Sequence, residues 1–259
     1  MVIRLVLKIG LCVLSALPAA ATAAECTAAS GERRVPLLEL YTSEGCDSCP
    51  PVDRWVSELT ARGYGRDRVV VLAFHVDYWD RLGWIDPYGK ARFSERQRLV
   101  NNRNGERVVY TPQLMLNGKD YRRGLMRDDF GAQLAELNRA PSKAAIRLTV
   151  APAAGHLTVD GAWSTSGANE ARQAQGWIAI YESRLASDVR AGENRGKRLQ
   201  HDFVVRELAG PFPAGTFSHA FAVDPRWKQG DLAVAGFVQD ARSGETLQAL
   251  ALPVCRSSS

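Results

Sequence analysis

The sequence predicts an α/β domain followed by a C-terminal β-sandwich-like domain, and three observations carry that reading. Up to about residue 140, short apolar runs of strand length alternate with segments whose apolar residues recur at helical spacing. Pro141 and Ser142 then mark a change in composition. Beyond them, period-two runs separated by turn residues replace the helical pattern, as in packed antiparallel sheets.

The first 24 residues stand outside the fold argument. Arg4 and Lys8 precede an apolar stretch at residues 9–17, and residues 19–24 are rich in alanine, the three parts of a secretory signal peptide. The stretch is shorter than the about 20 apolar residues of a spanning helix. Cleavage before Glu25 is expected to release a mature chain of about 235 residues into the periplasm or the medium, without stable membrane insertion. Loss of Arg4 and Lys8 leaves 31 basic against 28 acidic residues. So small an excess does not point to nucleic acid, and the basic Lys119, Arg122, Arg123 and Arg127 are interleaved with Asp120, Asp128 and Asp129.

Residues 35–41 (VPLLELY) have the continuous apolar character of a buried strand, and the turn-like residues 42–45 lead to Cys46. Pro50 and Pro51 suit the first turn of a helix, whose apolar positions are Val52, Trp55, Val56 and Leu59. A second buried strand is expected at residues 69–76, an irregular aromatic segment at 77–88 and a polar helix at 91–102. Residues 113–116 form a third strand, Asn117-Gly118 a two-residue hairpin turn into residues 120–123, and residues 128–139 a closing helix. Strand, helix, strand, helix, hairpin and helix is the thioredoxin-fold order, so residues 25–140 read as a thioredoxin-like domain. The β-rich remainder, 141–259, carries strands near 145–150, 156–159, 176–181, 203–208, 216–223, 231–240 and 247–254.

Four cysteines remain after signal cleavage: Cys26, Cys46, Cys49 and Cys255. An even number fits an oxidising compartment, and of three possible pairings the sequence favours Cys46–Cys49 with Cys26–Cys255 joining the two ends. Cys46 precedes a helix N-terminus, where partial positive charge favours a thiolate. Cys49, three residues on, can resolve a mixed disulfide intramolecularly. Three competing readings stay open: an inert structural disulfide, a copper(I)-binding chaperone using Cys46, Cys49 and His75, and a noncatalytic binding module. Zinc would need four ligands, and no second C-x-x-C stands nearby.

His75 lies in FHVDYWD (74–80), where Asp77 or Asp80 could orient its ring or take a proton from Cys49; a purely structural histidine is the competing reading. Tyr78, Trp79 and Trp84 either line a groove beside the cysteines or pack their own loop. Gly192-Glu193-Asn194-Arg195-Gly196, followed by His201, reads as a surface loop with local hydrogen bonds, with a binding site as the competing reading.

The segments LYTSEGCDSCPP (40–51), FHVDYWD (74–80), Gly83-Trp84, Arg96-Gln97, Tyr110-Thr111-Pro112-Gln113 and Gly192-Glu193-Asn194-Arg195-Gly196 resemble the exported thioredoxin-like proteins catalogued as domain of unknown function 1223. The resemblance spans most of the mature chain and implies the fold and a C-x-x-C pair. Similarity to thioredoxin-like proteins more broadly implies that Cys46 attacks, that Cys49 resolves, that Pro112 is a cis-proline facing them, and that Thr111 offers its backbone to a bound peptide or thiol. The implied partner is a protein or small-molecule thiol or disulfide. No cofactor is implied.

Overall fold

The computed structural model describes residues 25–122 and 127–255. The signal-peptide reading of residues 1–24 and the expected strand end at Arg123 lie outside the described residues. In chain order the elements are β1 (Cys26–Ala29), β2 (Leu37–Thr42), α1 (Pro50–Ser57), β3 (Val70–His75), α2 (Ala91–Arg103), β4 (Gln113–Leu116), β5 (Lys119–Asp120) and α3 (Phe130–Arg139). There follow β6 (Ala144–Ala153), β7 (His156–Thr165), α4 (Ala168–Gln173), β8 (Ala174–Glu182), β9 (Leu185–Asp188), β10 (Arg198–His201), β11 (Val204–Phe212), β12 (Gly215–Ala222), β13 (Leu232–Asp240) and β14 (Thr246–Pro253).

The architecture is mixed α/β with three sheets among the described residues. An eight-stranded sheet has the order β14-β13-β8-β11-β3-β2-β4-β5, a four-stranded sheet the order β1-β6-β7-β12, and β9 and β10 form a separate hairpin. The parallel pair β2–β3 is buried at every position, which is why both strands read as apolar runs with almost no alternation. Period two still sorts their side chains. Leu37, Tyr41, Val70, Leu72 and Phe74 pack with Phe93 of α2 on one face. Leu38, Leu40, Val71 and Ala73 pack with Val52 and Val56 of α1 and Leu134 of α3 on the other. His75 follows Val71 and Ala73 in this alternation and so turns to the α1 side.

A buried charge crosses the α2 interface. Arg96 donates from Nε to Glu39 Oε1 at 2.7 Å and from Nη2 to Gln239 Oε1 at 3.0 Å, its guanidinium lying over Phe74, Trp177 and Phe237. Asn117 and Gly118 both have positive φ, as the tight turn between β4 and β5 requires. A side chain at Gly118 would also collide with the Gly244 carbonyl, 2.1 Å from its Cβ position.

Residue 140 separates α3 from β6, but it does not separate two sheets. β11, from the C-terminal half, lies parallel to β3 with Val204 opposite Ala73, and Ala73 N–H donates to Phe203 O at 2.8 Å. β1, from the N-terminal end, pairs with β6 as an edge of the four-stranded sheet. That sheet packs Leu148, Val150 and Trp163 against Ile178, Ile180 and Val234 of the large one. Cys26 at the start of β1 is disulfide-bonded to Cys255 beyond β14, with Cα atoms 5.7 Å apart. The short β1, the β9–β10 hairpin and α4 are elements that periodicity did not announce. In the basic segment, Arg122 pairs with Asp120 at 3.0 Å and Arg127 with Asp129.

Candidate functional site

β2 delivers the chain to the cysteines. After Thr42 a tight turn forms in which Gly45 N–H donates to Ser43 Oγ at 3.1 Å and Cys46 N–H to Ser43 O at 3.2 Å. Gly45 is closely packed, since a Cβ there would stand 3.0 Å from Trp79 Cβ and the tryptophan would have to give way slightly. Cys49 is the N-cap of α1, and its carbonyl accepts from the N–H groups of Val52 and Asp53 at 2.9 and 3.0 Å. Pro50 and Pro51 lack N–H groups, so the first turn offers fewer free donors than a helix start otherwise would. Cys46 and Cys49 form a disulfide with Cα atoms 5.5 Å apart, and both are 0% exposed. Ser48 Oγ lies 3.4 Å from Cys46 Sγ.

The Thr111–Pro112 peptide is cis, as the resemblance implied. Tyr41 is opposite Gln113 in the β2–β4 ladder, so Thr111 and Pro112 stand at the end of the sheet where β2 leads into the cysteine turn. Trp79 links the two segments: its Nε1 donates to Thr111 Oγ1 at 2.7 Å while its Cβ abuts Gly45. Trp84 donates from Nε1 to Glu44 Oε2 at 2.8 Å. Both tryptophans thus hold loops together through their one polar atom.

His75 is buried, and its partner is Asp86 rather than Asp77 or Asp80. His75 Nδ1 lies 2.7 Å from Asp86 Oδ2, which also accepts Glu44 N–H at 2.8 Å. Asp77 is engaged by Ser94, and Asp80 Oδ1 accepts Asp86 N–H at 3.1 Å, so the two nearer acids are spent on the loop backbone and on α2. Burial alone pushes the His75 pKa down, but the Asp86 carboxylate, with Asp53 and Glu44 behind it, reverses the balance and raises it. For Asp86, burial pushes upward, and the His75 pairing with backbone donors outweighs it and lowers the pKa.

A second imidazole packs against the first. The rings of His75 and His201 are 4.9 Å apart in an edge arrangement, with Tyr88 beside both. His201 Nε2 lies 3.1 Å from Glu44 Oε1, and its Nδ1 is 3.9 Å from Asp53 Oδ2. Asp53 follows Cys49 by one helical turn, and burial raises its pKa despite the two histidines. Among the described residues His75 Nε2 and His201 Nδ1 have no hydrogen-bond partner, and both residues line a small hollow with Asp53 and Leu40. Five buried ionisable groups therefore lie behind the disulfide: Glu44, Asp53, His75, Asp86 and His201.

Among the described residues no three His, Cys, Asp or Glu side chains stand where they could hold a metal ion. Of the copper set, Cys46 and Cys49 are bonded to each other, and His75 has Nδ1 on Asp86.

The reading of residues 192–196 as a surface loop with local bonds is corrected by Asn194, which is 0% exposed. Its Nδ2 donates to both Glu44 O and Cys46 O at 2.8 Å, and Glu193 Oε2 accepts Asp47 N–H at 3.1 Å. Asp86, Glu44, Asp53 and Asn194 were missed as site residues. Only Asp53 carried a local signal, its i+4 spacing from Cys49 on one helix face.

A mixed α/β chain with a disulfide-closed C-x-x-C at a strand–helix junction and a buried acid–histidine cluster behind it is the class that fold and site define. Within that class, the chain belongs to the family described as protein of unknown function DUF1223, whose model matches residues 37–239. A crystal structure of an Agrobacterium tumefaciens protein from a structural-genomics programme is similar at 25% identity and TM-score 0.64. It covers 88% of this chain and 99% of that one. HBP35 of Porphyromonas gingivalis matches with TM-score 0.65 at 13% identity, over 87% of this chain and 76% of that one, a likeness of fold alone. No curated protein matches the chain.

Proposed function

We propose that this protein is an exported thiol–disulfide oxidoreductase of thioredoxin-like arrangement, acting through Cys46 and Cys49. The observation that carries the reading is the Cys46–Cys49 disulfide at the head of α1, next to the cis Thr111–Pro112 peptide at the same sheet end. The sequence β2-α1-β3 followed by β4-β5-α3 around that pair supports it. Two disulfides in one chain fit an oxidising, extracytoplasmic compartment.

In the reducing direction the Cys46 thiolate attacks one sulfur of a substrate disulfide. A Cys46–substrate bond forms, the substrate S–S bond breaks, and one substrate thiolate leaves and takes a proton from solvent. The Cys49 thiolate then attacks Cys46 Sγ, closing Cys46–Cys49 and releasing the second substrate thiol. Two electrons pass from the protein dithiol to the substrate, and the same bonds made in reverse oxidise a substrate dithiol. Asp53, one turn beyond Cys49 and held towards its protonated form by burial, is the group suited to exchange the Cys49 proton. His201 and His75 flank that carboxyl, while Thr111 presents its backbone to the incoming thiol beside Pro112.

The test is a redox titration of the mature protein at defined glutathione ratios, with free thiols trapped and located by mass. Reversible titration of Cys46–Cys49 between roughly −300 and −100 mV, with Cys26–Cys255 staying oxidised, is the expected result. A pair that stays closed over the whole range is a structural staple and ends the redox reading.

A further inference from the structure

The β9–β10 hairpin comes from the C-terminal half of the chain, yet its tip is bonded to the cysteine turn. Backbone bonds close the hairpin loop on itself, with Val189 N–H to Lys197 O at 3.0 Å and Gly196 N–H to Val189 O at 2.8 Å. Val189 and Leu199 are buried, so the arms are fixed while Glu193 and Asn194 project from a short, closed loop. Asn194 reaches the carbonyls of Glu44 and Cys46, and Lys197 Nζ donates to Asn194 Oδ1 at 2.8 Å, fixing which way round the amide sits. Glu193 takes the Asp47 N–H, one of the two inside the C-x-x-C dipeptide. Gly192 packs against Trp84, where an added Cβ would lie 3.2 Å from Trp84 Cβ. Under this arrangement neither sulfur-bearing residue has any exposed surface.

Disulfide exchange needs an approach to one sulfur along the S–S axis, and a residue with no exposed surface gives no such approach. We infer that Asn194 and Glu193 form a latch over the redox pair, so that exchange proceeds only from the fraction of molecules in which the loop tip has released the cysteine turn. This inference rests on the oxidoreductase reading and adds to it an access-controlling role for the 192–196 loop. A small thiol reacts at a rate scaled by the open fraction, as in any local-opening equilibrium. A protein partner reacts faster than its thiol chemistry predicts only if its own backbone replaces the Asn194 bonds. Because the Asn194 bonds are made to main-chain carbonyls that both redox states possess, the latch changes rates in the two directions alike.

The experiment compares wild type, Asn194→Ala and Glu193→Ala as full mature chains. It measures the rate of Cys46–Cys49 reduction by dithiothreitol, the rate of reoxidation by oxidised glutathione, and the equilibrium constant against glutathione. Losing two neutral hydrogen bonds from the closed state is expected to speed both reactions about tenfold in Asn194→Ala. The exposed Glu193 can be replaced without disturbing packing, and Glu193→Ala is expected to give a few-fold acceleration. It carries the test if Asn194→Ala fails to fold. The equilibrium constant is expected to stay within about twofold of wild type, which a stability defect confined to one redox state would not allow. Unchanged rates in folded variants, or a shifted equilibrium with only one rate altered, overturn the latch. A pair that is reduced slowly in wild type but rapidly in Asn194→Ala, with the same equilibrium constant, supports the latch; resistance in all three chains overturns both the latch and the redox reading.

Discussion

His75 Nδ1 meets Asp86 Oδ2 at 2.7 Å in a position where both side chains are almost wholly buried. The pair is one end of a buried charge cluster that continues through His201 and Glu44 to Asp53, and it makes stability depend on pH in a direction that can be worked out.

The raised His75 pKa gives stability that is complete below its unfolded value and lost as pH rises through the folded one. The raised Asp53 pKa acts in the same sense, its stability contribution disappearing as pH climbs from the ordinary carboxylate range through the folded value. The lowered Asp86 pKa acts oppositely and is lost only as pH falls through its folded value. Asp53→Asn should therefore raise Tm at pH 8 by a few degrees, roughly 1 kcal/mol, and have little effect at pH 4. Thermal melts at the two pH values check this; a variant that is equally shifted at both removes Asp53 as the titrating group.

Arg96 and Glu39 are a buried ion pair whose value lies in mutual compensation. Arg96→Met strands a carboxylate that is 0% exposed and is expected to cost about 3–5 kcal/mol in urea unfolding. Adding Glu39→Leu should recover most of that loss. Additive losses in the double variant would show that Arg96 acts by packing against Phe74 and Phe237 and not by charge.

Cys26–Cys255 closes a loop across a sequence separation of 229, for which the chain-entropy model gives about 5 kcal/mol. Replacing both residues by Ala should lower the unfolding free energy by several kcal/mol. The midpoint of the Cys46–Cys49 titration should not move, because the two bridges share no bonded neighbours.

Cys49→Ser removes the thiol that releases a bound partner. With oxidised glutathione it should accumulate a mixed disulfide at Cys46 that persists until an external thiol is added, while Cys46→Ser should accumulate much less at Cys49. Peptide mass mapping distinguishes the two. Equal trapping at both positions would remove the division into attacking and resolving thiols.

Much of the local structure was legible. Proline at the first turn, apolar spacing through Val52 and Val56, and a β-run before Cys46 located the strand–helix junction, because those signals act over one or two turns of chain. Asn117-Gly118 declared its turn for the same reason. The partner of His75 was misread as Asp77 or Asp80, since proximity in sequence is a poor guide once an irregular loop folds back; Asp86 is reached only by that return. Residues 192–196 showed polar side chains between glycines, and nothing within ten residues reveals that Asn194 is satisfied by the carbonyl of Cys46, 148 positions away.

By itself the sequence determined the alternation of elements and the two-cysteine helix start, properties set by local sterics and short-range periodicity; cysteine number only favoured the pairing of the chain ends, and the cis-proline at Pro112 was implied by resemblance. Only the tertiary structure decided that β11 enters the sheet beside β3, that one sheet therefore runs through both halves, and that the tip of the β9–β10 hairpin is hydrogen-bonded to the cysteine turn. The physical reason is common to all three: an unpaired strand edge and a buried carbonyl must each find a hydrogen-bond partner, and which distant segment supplies it is settled by packing, not by spacing along the chain.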